Sequence, residues 1–236
     1  MEADAQVASR AASEAPEEAQ PVGRLSDLAY RRILENLFDR RLPAGAFVSQ
    51  NDLVKLLGIP VAPLRDALRV LEVEGILTIH PRSGIQFVKP GMELTKSTYQ
   101  FRTIIERAAV RAFAEWGEEE LIRELGERHR AVSAEIDRSG LTREVMLELE
   151  ALESLLHNSV IEILSNPLID VSYKRMHTYL RLVRLDRKLT VPLAQRSIRE
   201  HLEIVDACAA RDPDRAEAAL VAHFSAALQR HLGMFI

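Results

Sequence analysis

Glu153 and His157 stand four residues apart in the stretch LELEALESLLHNSVIEIL, so a helix there points both side chains from one face. Position 157 continues an apolar stripe through Leu149, Leu156 and Val160, where a hydrocarbon side chain is the ordinary occupant. Two further histidines share that setting. His201 lies in SIREHLEIVDACAA between inward-facing Ile198 and Ile204, and His223 lies in AEAALVAHFSAAL on a face of Ala and Leu. Burying imidazoles costs free energy unless they are hydrogen-bonded or ligate a metal. Three imidazoles and one carboxylate form a borderline nitrogen–oxygen set that suits Zn²⁺, Ni²⁺, Mn²⁺ or Fe²⁺. The residues alone leave two readings open, hydrogen-bonded core histidines or a metal centre. His129, His177 and His231 have no partner at metal-ligand spacing.

A second chemistry is written in GIPVAPLRDAL, residues 58–68. Arg65 and Arg69 lie one helical turn apart, so they share a face and can hold phosphates or base edges. The preceding turn, Pro60-Val61-Ala62-Pro63, carries no side chain able to donate a hydrogen bond to a base. Prolines there still suit a helix start, because the first N–H groups have no intrahelical partner. Val61, Ala62 and Pro63 offer apolar contact, of the kind a thymine methyl group accepts. Asn51 before this stretch, and His80, Arg82, Ser83 and Gly84 after it, are candidates for backbone or minor-groove contacts.

These side chains need elements to position them. Helical periodicity runs from near Leu25 to about Arg40, with Leu28, Ile33, Leu34 and Leu37 in one stripe, until LPAG breaks it. Ser49 with Asp52 reads as a capping box opening a short helix that Gly58 ends. A third helix is predicted from about Ala62 to Glu74, with Leu64, Leu68 and Leu71 inward and Gly75 closing it. ILTIHPRSGIQFVKP reads as two short strands around a turn. Helix, helix, turn, helix and hairpin is the order of a winged helix-turn-helix, whose third helix enters the major groove of DNA. Clustering of Arg65, Arg69, Arg82 and Lys89 on these elements favours that reading over a helical hairpin with a packing ribbon.

After Pro90-Gly91 the chain reads as six helices, at about 95–116, 118–137, 142–164, 167–186, 191–210 and 213–232, separated by Gly117, SGLT, SNP, LTVP and RDPD. Apolar spacings of three and four imply an antiparallel bundle. The expected fold is mainly α, a winged helix-turn-helix over residues 24–90 followed by an all-α bundle over 91–236. Residues 1–23, rich in Ala, Glu, Pro and Ser, read as a disordered tail.

Composition narrows the class. At 236 residues, 47% hydrophobic and 28% charged, the chain is that of a soluble globular protein, and no apolar run is long enough to span a membrane. The N-terminus has neither the basic start nor the apolar core of a signal peptide. A single cysteine, Cys208, sits in an apolar helical run and cannot form an internal disulfide, which fits a reducing cytoplasm. The net charge of −4 hides a pattern, because residues 24–90 alone carry ten basic against seven acidic groups.

The residues also resemble a known family. LPAGAFVSQNDLVKLLGIPVAPLRDALRVLEVEGILTIHPRSGIQFV is similar to the DNA-binding signature of GntR-type transcription regulators at its Leu-x-x-Gly, Asp-Leu, Gly-Ile, Pro-x-Arg-Asp-Ala-Leu, Leu-Glu-x-Glu-Gly and Arg-x-Gly positions. FRTIIERAA, ESLLHNSVIEILSNPLI and HLEIVDACAARDPDRAEAALVAHF resemble the ligand-binding domain of the FadR subfamily. Six bundle helices instead of seven point to its VanR-like group. The resemblance implies a metal site of one aspartate and three histidines, which falls here on Glu153, His157, His201 and His223, with Glu in place of Asp. It puts Arg102 where an arginine faces the effector cavity. On the fourth bundle helix, Tyr173, His177, Tyr179, Arg181 and Arg184 are read from the sequence itself as candidates for further lining, His177 and Tyr179 foremost. Relatives commonly carry Ser-Arg-Thr-Pro where this chain has Pro60-Val61-Ala62-Pro63.

The expectation is a dimeric, metabolite-responsive repressor that binds a pseudo-palindromic double-stranded operator. Its bundle would hold a divalent metal, Zn²⁺ foremost, and a small organic or aromatic acid. A regulator sensing the metal ion itself is the alternative. A metal-dependent enzyme is the more distant one, since no nucleophile motif, Gly-rich phosphate loop or paired general acid and base accompanies the histidines.

Overall fold

The computed structural model describes residues 22–185 and 188–232. The tail expected over residues 1–23 therefore lies almost wholly outside the described residues. The chain divides between Val88 and Lys89 into two compact units.

The first unit runs α1 (Val22–Phe38), β1 (Phe47–Val48), α2 (Gln50–Leu57), α3 (Val61–Val73), β2 (Leu77–His80) and β3 (Gly84–Phe87). Ser49 and Asp52 close the expected capping box, and Gly58 ends α2 in the left-handed region that a residue without Cβ adopts at no steric cost. Helix α3 starts after Pro60, whose φ of −59° is preset for a helix entry, so the start holds without a side-chain cap. Helix α1 packs on α3, and Ala29, Ile33 and Leu37 of the one and Leu64, Leu68 and Leu71 of the other are fully buried. Arg32 donates from Nη1 to the Leu57 carbonyl at 2.6 Å, tying α1 to the end of α2.

The sheet is antiparallel in the order β1-β3-β2, with Ile79 opposite Ile85 and Phe47 opposite Gln86. The two-residue β1 was not expected from the sequence. It explains Gly84, which has φ +120° and whose added Cβ would lie 2.7 Å from the Val48 carbonyl oxygen. The backbones of β1 and β3 close over that position, and only glycine fits.

The second unit is the six-helix bundle: α4 (Met92–Trp116), α5 (Glu119–Ser139), α6 (Arg143–Glu162), α7 (Pro167–Arg184), α8 (Val191–Ala209) and α9 (Pro213–His231). Thr142, Asn166 and Asp212 cap α6, α7 and α9 through their side-chain oxygens, and Pro167 and Pro213 occupy the first turns of their helices. Helix α9 packs on both α4 and α8, and α8 packs on α5. The main core gathers Val110, Phe113, Leu125, Leu156, Val160, Ile204, Leu220 and Phe224. Cys208 is buried in it, and burial pushes its thiol up to about 12, which leaves it inert at neutral pH.

Candidate metal centre and nucleic-acid interface

Glu153, His157, His201 and His223 come together inside the bundle, with one ligand atom from each within 4.8 Å of all the others. Helix α6 supplies the first two, α8 the third and α9 the fourth. All three imidazoles are at most 4% exposed.

Each imidazole is held from behind. His157 donates from Nδ1 to Glu106 Oε2 on α4 at 2.6 Å. His223 donates from Nδ1 to Glu200 Oε2 on α8 at 2.8 Å. The remaining one, His201, meets His129 Nε2 on α5 through its Nδ1 at 3.2 Å. The proton is thereby placed on Nδ1 of His157 and His223, because an ionised carboxylate only accepts. It leaves a lone pair on Nε2, and the Nε2 atoms of His157, His201 and His223 are all buried without a hydrogen-bond partner. Three unsatisfied nitrogens facing one carboxylate are what a divalent ion requires of its ligands.

The carboxylates are kept ionised by guanidinium groups. Burial alone would raise Glu106, but Arg102 and His157 overcome it and hold the carboxyl at about 2. Arg102 Nε lies 2.7 Å from Glu106 Oε1, which also accepts from Tyr173 Oη at 3.1 Å. Glu200 is held at about 2 by His223 and Arg230 against its own desolvation. The Arg230 guanidinium grips it with two bonds of 2.7 and 2.8 Å. Burial would likewise raise Glu153, but Arg184 and the facing histidines pull it well below the carboxylate range. Its Oε1 accepts from Arg184 Nη2 at 2.5 Å, and its Oε2 lies 3.3 Å from His201 Nε2. The extra methylene of glutamate thus does not keep the carboxylate away from the histidines.

Of the residues expected to meet an effector, Arg102 is fully buried and its guanidinium stacks 4.3 Å from the Phe224 ring centroid. It is paired with Glu106 and lies 3.7 Å from Glu153. His177 is half-buried and held at about 4 by desolvation and by Arg102 and Arg184. Tyr179 is half-buried on α7. Residues that sequence reasoning passed over are Glu106, His129 and Glu200, which touch the ligands from other helices, and Arg230, which grips Glu200. The Arg102–Glu106 spacing of four was the one local signal among them.

Electrostatics here predict an acid-sensitive fold. His129 is lowered to about 4, by burial first and by His201 second, and His177 is lowered likewise. Their folded values lie below the unfolded 6.5, so the unfolded chain takes up these protons first. Stability is therefore fully present above pH 6.5 and falls as pH drops toward 4. Glu106 and Glu200 extend the loss between 4.5 and 2. Urea midpoints of chelator-treated protein are expected to decline steadily from pH 6.5 to 4, and a flat profile there would contradict these environments.

In the first unit, Val61, Ala62, Arg65 and Arg69 are exposed on α3, and Asn51 on α2. A groove of about 450 Å³ separates α3 from the wing and is lined by Arg65, Arg69, His80, Arg82, Ser83 and Gly84 among others. Arg65 donates to Gln50 at 3.2 Å, and Arg82 and Ser83 are exposed at the hairpin tip. Pro63 departs from expectation. It is buried with Ala67, one turn on, along the inward face of α3, so its ring is withheld from any DNA. Half-buried His80 is engaged by Gln86 at 3.1 Å and by the Phe47 ring.

Residues 25–87 match the family model of the bacterial regulatory proteins of the gntR family, and residues 97–226 match the FCD domain. The chain is a GntR-family transcriptional regulator with an FCD domain. It is 20% identical over 200 residues to the HTH-type transcriptional regulator YdhC of Bacillus subtilis (strain 168), covering 83% of this chain and 86% of that one. Among solved structures, E. coli McbR/YncC superposes with a TM-score of 0.69 at 16% identity, over 90% of this chain and 99% of that one. A GntR regulator from Rhodococcus sp. RHA1 superposes with a TM-score of 0.70 at 20% identity, over 91% and 100%. The winged helix is the DNA-binding unit of this regulator and the FCD bundle is its second domain. Among the described residues, no helix is long and apolar enough to cross a membrane.

Proposed function

We propose that this regulator is a dimeric, metabolite-responsive repressor whose FCD bundle holds a divalent metal, Zn²⁺ foremost, on Glu153, His157, His201 and His223. The observation that carries the reading is the set of three buried Nε2 atoms without partners, each with its proton directed away from the centre. When bound, the ion supplies a Lewis-acidic anchor for an anionic ligand. The chain's own cations supply the rest of the complement. Arg102 Nη1 and Arg184 Nε are buried without hydrogen-bond partners, and both guanidinium groups lie beside Glu153. A small organic or aromatic acid fits that charge. It switches DNA binding only by preferring one of two conformations of the regulator. Two-fold symmetry of the dimer would be matched by a pseudo-palindromic operator. Orienting a ligand, not turnover, is the role of the site.

Metal analysis of the full-length protein tests this directly. About one divalent ion per chain is expected in the wild type, and none in His201→Ala. Equal metal in both would remove the proposed site. DNA-binding measurements on the protein's own upstream region, with a panel of organic and aromatic acids, then separate the readings. Release by an acid only from metal-loaded protein supports the proposal, and release by metal alone supports an ion sensor.

A further inference from the structure

The three histidine arms of the centre are not chemically equal. His157 and His223 lean on carboxylates, whereas His201 leans on another imidazole. We propose that His129 is a positioning residue that fixes the tautomer of His201, so that its Nε2 lone pair faces the centre without a further charge being added there. This inference rests on the metal-site reading above.

The protons give the contact its direction. His129 Nδ1 lies 2.6 Å from the Leu125 carbonyl oxygen. A carbonyl can only accept, so this nitrogen carries the proton. Neutral His129 then has a bare Nε2, which can only accept, and the group it meets at 3.2 Å is His201 Nδ1. His201 Nε2, although 3.3 Å from Glu153 Oε2, makes no hydrogen bond, so the proton of His201 is placed on Nδ1. Backbone carbonyl, His129 and His201 form one directed chain running from α5 into α8. His129 is 1% exposed, and its ring stands edge-on to His201 at 81° with centroids 5.3 Å apart. Rotation of the His129 ring would break both bonds of the chain, and rotation of the His201 ring would break the one between the rings.

Charge explains why an imidazole serves here better than a third outer carboxylate. Glu106, Glu153 and Glu200 are matched by Arg102, Arg184 and Arg230, each in direct contact with one of them. Before the ion binds, a carboxylate at position 129 would add a fourth negative charge to a buried cluster whose carboxylates and guanidinium groups already balance. A neutral acceptor orients His201 without disturbing that balance.

Long-range ¹H–¹⁵N spectra of the histidine rings in chelator-treated, full-length protein read the tautomer without any metal. His201 is expected as the Nδ1–H form in the wild type, and as the Nε2–H form or a mixture in His129→Leu. Zn²⁺ affinity, measured by competition with a chromophoric chelator, is expected to fall about 10–100-fold in that variant. His129→Gln, which restores an acceptor, is expected to recover most of the affinity. Finding Nε2–H on His201 in the wild type would overturn the proposal even if the leucine variant fails to fold. So would a folded His129→Leu protein that keeps both the Nδ1–H form and the wild-type affinity. Should the wild type bind no Zn²⁺ while its tautomer responds to His129, the metal reading fails and the positioning role stands.

Discussion

Glu106→Leu is expected to destabilise the FCD bundle by about 3–5 kcal/mol, the range for removing one partner of a buried ion pair. The carboxylate is fully buried and receives Arg102, His157 and Tyr173. Its loss strands a guanidinium that is itself fully buried, at the cost of an uncompensated charge in a low-dielectric interior. The double variant Arg102→Met/Glu106→Leu removes the charge with its partner and is expected to be more stable than Glu106→Leu alone. It will not reach the wild type, because the Nδ1–H of His157 and the hydroxyl of Tyr173 still lose their acceptor. Urea titrations with chelator present measure the fold apart from any bound ion. With a slope of about 1–3 kcal/mol per molar urea, the single variant's midpoint should drop by more than about 1 M. A drop within the range of surface substitutions, about 0.5 kcal/mol, would mean that the pair does not form in solution.

The same residues show where sequence reasoning reached and where it stopped. Periods of three and four gave the order of all six bundle helices, and Ser49 with Asp52 announced the start of α2, because both signals are local. Glu153 and His157 were legible as a pair for the same reason. His201 and His223 stood out only because an imidazole on an apolar stripe asks for a partner. Who that partner is depends on which helix packs against which. His129 looked idle in α5 until α8 was laid against it, and Glu200 precedes His201 by one residue yet serves His223 on α9. The strand β1 escaped notice because two residues carry no alternation to read. Pro63 falls on the inward face of α3, one turn before Ala67, and not on the DNA face expected for it.

Register also governs the prediction that bears most on DNA recognition. Val61→Arg is expected to shift base preference toward guanine at one position of each operator half-site, by about 1–3 kcal/mol, or roughly 5–150-fold. Val61 is the first residue of α3 and 40% exposed, and the N-terminal residues of a recognition helix are those that meet base edges. Arg65 is already drawn to Gln50, and Arg69 lies 3.9 Å from Asp66, so both are held along the helix where phosphates are the nearer targets. The helix start itself needs nothing from residue 61, since Pro60 presets it. An added cation also strengthens binding to any duplex, so the measurement must be a ratio between matched and mismatched sites at one salt concentration. Val61→Lys controls for charge, because lysine attracts phosphate as a point charge without the planar fork that reads two acceptors of guanine at once. A guanine preference with arginine that exceeds the lysine response puts residue 61 in the groove. Equal responses would mean that α3 presents a different turn to the bases and that the apolar pair Val61-Ala62 faces the backbone.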